Sequence, residues 1–149
     1  MCEVTTNSNM QLSQHFLLGE FTKINYPEVY NIPSHVAIEN MKRVCGWLEV
    51  LRDRYGQPIV INSGYRSPQL NKKVGGVSTS NHMTGCAVDI RCSGIEQAIE
   101  YAAILIGYAR ETQQDYDELF IEKNKYGRYW VHFAVRPKDN RRKIGFINA

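Results

Sequence analysis

His82 and Asp89 stand seven positions apart in Ser80-Asn81-His82-Met83-Thr84-Gly85-Cys86-Ala87-Val88-Asp89, an imidazole and a carboxylate on either side of a glycine. Both groups are good ligands for a borderline ion such as zinc. In one continuous strand they would lie roughly 23 Å apart, at about 3.3 Å per residue, whereas zinc ligands each sit about 2.0–2.2 Å from the metal. The chain must therefore turn between them, and Thr84-Gly85 is where the backbone can fold back. A helix would also place positions seven apart on one face. Gly85 and the run Ala87-Val88-Asp89-Ile90 favour a turn leading into a strand instead, with Val88 and Ile90 facing the core and Asp89 facing away.

A third ligand is offered by Tyr129-Trp130-Val131-His132-Phe133-Ala134-Val135. Alternation puts Val131, Phe133 and Val135 on the buried face and Trp130, His132 and Ala134 on the other, so His132 points out of the core. Taken alone, a strand histidine is more often a surface or hydrogen-bonded residue than a ligand. Joined by His82 and Asp89, it completes two histidines and a carboxylate, which leave the fourth tetrahedral position of one zinc ion for water. That is the arrangement of a catalytic rather than a structural zinc site.

The pattern Ser-x-His-x-x-Gly-x-Ala-x-Asp, followed late in the chain by Trp-x-His, resembles the zinc D-alanyl-D-alanine carboxypeptidases and the related phage endolysins that act as peptidoglycan endopeptidases. These belong to the LAS superfamily and share a fold with the amino-terminal domain of hedgehog proteins. Ile61-Asn62-Ser63-Gly64-Tyr65-Arg66-Ser67-Pro68, with Asn71 and Val74-Gly75-Gly76, resembles the same family's upstream block, so the likeness runs from about Phe16 to Val135. It implies a hydrolase of the bacterial cell wall, a zinc metallopeptidase of carboxypeptidase or L-alanyl-D-glutamate endopeptidase type, with the peptidoglycan peptide as substrate.

Such chemistry needs a base to carry a proton from water to the leaving amine. Many members of the family have Glu three residues before the last histidine ligand, where this chain has Tyr129. Hedgehog-type relatives place a glutamate at the end of the preceding strand, and Glu122 in Tyr116-Asp117-Glu118-Leu119-Phe120-Ile121-Glu122 matches that place. Alternation agrees: Leu119 and Ile121 turn to the core, Glu118, Phe120 and Glu122 to the cleft, and Asp117 to the wrong side. Glu122 ranks first as the base, Glu118 second and Asp117 third. The resemblance also assigns Arg66 to substrate binding, where its planar fork suits a peptide carboxylate or the oxyanion formed on attack. It further matches Ser80 to a serine that hydrogen-bonds substrate. Trp130 and Tyr65 are candidate apolar walls of the cleft, with packing as the alternative for each. A zinc-stabilised binding or interaction module without hydrolysis is the competing reading, favoured by Tyr129.

The elements that must position these groups form an α+β domain, a small mostly antiparallel sheet with helices packed on one side. Ser34 can cap a helix reaching about Arg54, with Ile38, Met41, Cys45, Leu48 and Leu51 on one stripe and Gly56 past its end. A buried strand over 58–62 follows, and Ser67-Pro68 opens a short helix that Gly75-Gly76 stops. Ser93 with Glu96 reads as a capping box ahead of Ile95, Ala98, Ile99, Ala102, Leu105, Ile106 and Ala109. The last two strands, near 116–122 and 129–135, form a hairpin. Glu122 and His132 share a face only if even-numbered positions pair with even-numbered ones, which needs an odd-numbered loop. A loop over 123–127 sets Glu118 opposite His132. One over 123–129 sets Phe120 there and Glu122 opposite Trp130.

At 149 residues and 43% apolar content the chain supplies one sizeable core and a single domain, with a leader over about 1–15 and a basic tail over about 136–149. A net charge of +3 suits an anionic wall better than an acidic protein and is too small to indicate nucleic acid. Lys138, Arg141, Arg142 and Lys143 read as a solvated terminus with some affinity for polyanions. No segment reads as a membrane span, and Met1-Cys2-Glu3-Val4 lacks the regions of a secretory signal, so a cytoplasmically made monomer, such as a phage or prophage lysin, is expected. The four cysteines lack zinc-ribbon spacing and are too few for a disulfide scaffold, and Cys45 and Cys86 read as buried thiols.

Overall fold

Ser34, in extended backbone, accepts a hydrogen bond at its hydroxyl from Ala37 N and so begins α2 (His35–Tyr55). Gly56, left-handed at φ 82°, ends it by donating its N–H to Arg52 O. Between these caps Ile38, Met41, Cys45, Leu48 and Leu51 are all buried, the face expected from a 3.6-residue period. The computed structural model describes residues 7–149. The remaining elements in chain order are β1 (Gln11–Ser13), β2 (Phe16–Leu17), α1 (Leu18–Thr22), β3 (Ile61–Ser63), α3 (Pro68–Lys73), a single 3₁₀ turn (Asn81–Thr84), β4 (Ala87–Arg91), α4 (Ile95–Thr112), β5 (Glu118–Lys123), β6 (Tyr129–Ala134) and β7 (Lys143–Asn148).

The main sheet has the order β3-β4-β6-β5-β7, antiparallel at every contact except the parallel pair β5–β7. Helices α2 and α4 cover one face. Val88, Ile90, Leu119, Ile121, Val131 and Phe133 point into that layer, where Trp47 lies 5.4 Å from the Phe133 ring. Each fully buried aliphatic side chain here contributes on the order of 1.5–3 kcal/mol, so the core holds β4, β5 and β6 in one register. Asp89, His132 and Glu122 lie on the face away from the helices. The domain is α+β, and no helix among the described residues is long and apolar enough to cross a membrane.

Several elements differ from the sequence reading. The strand expected over 58–62 runs only over Ile61–Ser63, with an irregular register there, although the exposed Val60 still accepts the Arg91 N–H at its carbonyl, at 2.9 Å. The Ser93–Glu96 capping box does not form. Extended Gly94 occupies the N-cap, and the Gln97 side chain accepts the Ser93 N–H instead, at 2.8 Å. On α4 the buried face runs through Ala98, Tyr101, Ala102, Leu105 and Ala109, leaving Ile95 and Ile99 exposed. Within the expected leader, Gln11–Ser13 pairs with Phe16–Leu17; the signal reading at Met1–Val4 and Cys2 lie outside the described residues.

The basic tail is the largest correction: it carries β7, an ordered fifth strand. Arg142 Nε donates to Asp115 Oδ1 at 2.6 Å, and the fully buried Asp117 receives Arg141 on both oxygens, at 2.9 and 2.7 Å. Arg136 and Asn81 reach the same Asp117 carboxylate, at 3.2 and 2.8 Å. Burial alone would raise this carboxyl, but the Arg141 and Asn81 hydrogen bonds outweigh it and bring it from 3.8 to about 2. A carboxyl lowered on folding stabilises the fold fully above its unfolded value near about 4, and that stability is lost as pH falls through about 2. The shift corresponds to about 2 kcal/mol at most, because the arginines are partly solvated. Urea unfolding at pH 5 and pH 2.5 should therefore show a smaller acid loss in Asp117→Asn than in the wild type. Equal losses would mean that the anchor contributes nothing.

Candidate metal centre

Asp89 on β4 is paired directly opposite His132 on β6, both on the face away from the helices. His82 reaches them from the 3₁₀ turn, which Ser80 opens by accepting the His82 N–H at its hydroxyl, at 3.1 Å. Gly85 closes the turn at φ 77°, and a Cβ there would stand 2.4 Å from Ala37 O. Any side chain at this position would push the turn off α2, so glycine is required twice over. Arg66 N donates to His82 O at 3.0 Å and ties the turn to the loop after β3.

His82 Nε2 and His132 Nδ1 lie 3.4 and 3.3 Å from Asp89 Oδ1. The three ligand atoms all fall within 4.8 Å of one another. Two donors each about 2.1 Å from one tetrahedral ion stand about 3.4 Å apart, so this donor set fits zinc. Each imidazole has its other nitrogen on an oxygen: His82 Nδ1 is 2.7 Å from Gly64 O and His132 Nε2 is 2.9 Å from Glu118 Oε1. Donation of N–H to those oxygens leaves His82 Nε2 and His132 Nδ1 with lone pairs for the metal. Phe120, the residue paired opposite His132, stacks on its ring at 5.5 Å and 14°.

The family model of Peptidase M15 matches residues 17–126. The chain belongs to the peptidase M15 family. The match takes in Arg66, Ser80, His82, Asp89, Glu118 and Glu122 and ends before β6, so His132 joins them through strand pairing. No curated protein matches the chain. Peptidases of the M15 family are zinc-dependent metallopeptidases, which agrees with the donor set of this M15 domain.

Electrostatics separate the three carboxylates considered as bases in this M15 member. Asp117 is consumed by Arg141 and Arg136 on the far side of Asn81. At Glu118 burial opposes ionisation, but the His132 and Asn81 hydrogen bonds prevail and lower its carboxyl, leaving an anion committed to orienting His132. Glu122 is raised, first by burial and then by the neighbouring Asp89 charge, and its contact among the described residues is the Trp130 indole N–H on Oε2. Asp89 itself is held well below the carboxylate range because the two imidazoles outweigh its burial.

The hairpin takes the second of the two even-with-even registers, Phe120 opposite His132 and Glu122 opposite Trp130, with one further pair at Lys123 and Tyr129. Arg66 sits beside the ligands, its fork shared at 3.4 Å each among Ser63 Oγ, Asn71 Oδ1 and Asp89 Oδ2. Ser80 lines the cleft while capping the turn. Trp130 borders the cleft on the Asp89 side, whereas Tyr65 is buried in the core. Cys45 and Cys86 are buried, and burial pushes the Cys45 thiol up to about 12, so these cysteines are inert rather than ligands. Sequence reasoning missed Asn81 and Gly64, while it places Phe120 on the cleft face, opposite His132 in one of the two registers. Asn81 bridges Glu118, Asp117 and Arg136, and its place beside His82 was the only local hint. The Gly64 carbonyl had no signal at all.

Proposed function

We propose that this M15 domain is a zinc peptidase that cuts an internal amide in the peptide stem of peptidoglycan, on a hedgehog-type fold, with His82, Asp89 and His132 as ligands and Glu122 as the base. Glu122 carries the reading. Among the described residues it is the one carboxylate on the site face that neither holds a candidate ligand nor pairs with an arginine or lysine, and its raised pKa brings it nearer the pH at which a base works best. Zinc would supply Lewis acidity, polarising the amide carbonyl and making water acidic enough to attack near neutral pH. Trp130 fixes Glu122 Oε2, leaving Oε1 to accept the proton of the attacking water and return it to the leaving nitrogen.

The endopeptidase form is favoured over the carboxypeptidase. With its fork spread over Ser63, Asn71 and Asp89, Arg66 is a poor cap for a free C-terminal carboxylate, and it acts on the reaction chiefly through Asp89. Space lies on both sides of the ligands: about 540 Å³ beside Ser80, Glu118, Glu122 and His132, and about 370 Å³ beside Asp89 and Trp130. A chain running through suits two open sides. Incubation of the zinc-loaded protein with purified peptidoglycan, followed by mass spectrometry of the soluble fragments, should show internal cleavage of the stem, at L-alanyl-D-glutamate in the leading case. A stem peptide amidated at its C-terminus should be cut as well as the free acid. Loss of the amidated substrate alone would restore the carboxypeptidase, and release of no fragment would favour the non-catalytic module that Tyr129 suggests.

A further inference from the structure

Outward from the metal ligands, the pairing of β4 with β6 places Arg91 opposite Trp130, one row beyond Asp89 opposite His132 and on the same face. That row borders the cavity of about 370 Å³, which Asp89, Arg91, Trp130, Arg128, Asn62 and Asn124 help to line. Asn62 Oδ1 accepts from Arg91 Nε at 3.1 Å, which aims the guanidinium and leaves both terminal nitrogens free. Arg128 is the last residue of the hairpin loop, its backbone N–H held by Asn124 Oδ1 at 3.0 Å. Neither guanidinium meets a carboxylate among the described residues, and the one acid on this cavity, Asp89, is already occupied by two imidazoles and Arg66. The opposite cavity differs: Arg136 and Arg141 there both pair with Asp117, and Arg141 also with Glu118.

The geometry points to Arg91 and Arg128 as a subsite for a carboxylate of the substrate itself, a specificity pocket that selects an acidic peptide over its neutral counterpart. This rests on the peptidase reading of the adjoining site. Arg91 lies two residues along β4 from Asp89, roughly 7 Å at strand spacing, so the recognised group sits within one or two residues of the cut amide. Two forked donors facing a polar cavity whose one acid, Asp89, is already engaged suit a planar carboxylate, which accepts paired N–H bonds.

The test compares two synthetic stem peptides, identical except that the α-carboxylate of the D-glutamyl residue is free in one and amidated in the other. The wild type should prefer the free acid by about tenfold or more in kcat/KM, since hydrogen bonds to a charged group are the stronger kind. Arg91→Gln and Arg128→Gln should each shrink that preference several-fold, chiefly through KM, and Arg91→Lys should keep part of it. No preference in the wild type, a preference that survives both substitutions, or losses equal on the two peptides would overturn the subsite. Calorimetric titration of both peptides into zinc-loaded Glu122→Gln protein separates this from hydrolysis. Tighter binding of the acid, lost with Arg91, would uphold the subsite even if the wild type cut neither peptide; equal binding would overturn it.

Discussion

Glu122→Gln should keep zinc and fold yet lower turnover by on the order of 10²–10⁴, the usual cost of removing a general base. The amide preserves size and can still accept the Trp130 indole N–H at its oxygen, so the side chain stays in place while the proton acceptor is gone. Glu118→Gln should behave differently. It weakens the acceptor for His132 Nε2 and the Asn81 contact, so its first effect is on metal affinity, by about 10–100-fold, and its activity should return at saturating zinc. Steady-state rates measured together with bound zinc tell the two apart. Near wild-type turnover in Glu122→Gln with full zinc occupancy would remove it as the base, and a rate lost from Glu118→Gln at saturating zinc would transfer the role.

Removal of zinc should abolish hydrolysis, and one equivalent should restore it in the wild type but not in His132→Ala. The pH dependence follows from His132. Burial would lower its pKa, but the hydrogen bonds and charges of Asp89 and Glu118 prevail and push the ion-free imidazole up to about 9. A raised basic group stays protonated below that value, so zinc must displace a proton, and its affinity should rise about tenfold per pH unit until about 9. Competition titrations at pH 6.5, 7.5 and 8.5 measure this, and calorimetry in buffers of different ionisation enthalpy should count about one proton released at pH 7.5. An affinity flat across that range would contradict the assignment of His132 Nδ1 as a ligand. Zinc at about 1,000 times its dissociation constant should also stabilise the folded chain by about 4 kcal/mol.

Local periodicity made the site face legible before any coordinates. Because side chains alternate along a strand, Asp89, His132 and Glu122 were assigned to one side and Val88, Val131 and Ile121 to the other from residue order alone, and the ladders pair them so. Hydroxyl caps and glycine stops are equally local, so Ser34, Ser67 and Gly56 marked helix ends. The same logic required an even-with-even hairpin yet could not choose between its two loops, since both satisfy parity. Tertiary packing chose the one that stacks Phe120 on His132. It also decided which nitrogen of each imidazole is left for a metal, because Gly64 O and Glu118 Oε1 arrive from other elements. Strand β7 lay beyond the sequence for a different reason. Its apolar residues Ile144, Phe146 and Ile147 stay exposed, and it is held by parallel backbone pairing and by Arg141 and Arg142 reaching Asp117 and Asp115, so its place follows from partners far away in the chain rather than from burial of an apolar face. Residue types and periods thus determined the candidate ligands and the face they share. Contacts between distant elements decided the partners of each imidazole, the different surroundings of Glu118 and Glu122, and the tying of Arg66 to Asp89, since each depends on atoms that only the folded chain brings within hydrogen-bond reach.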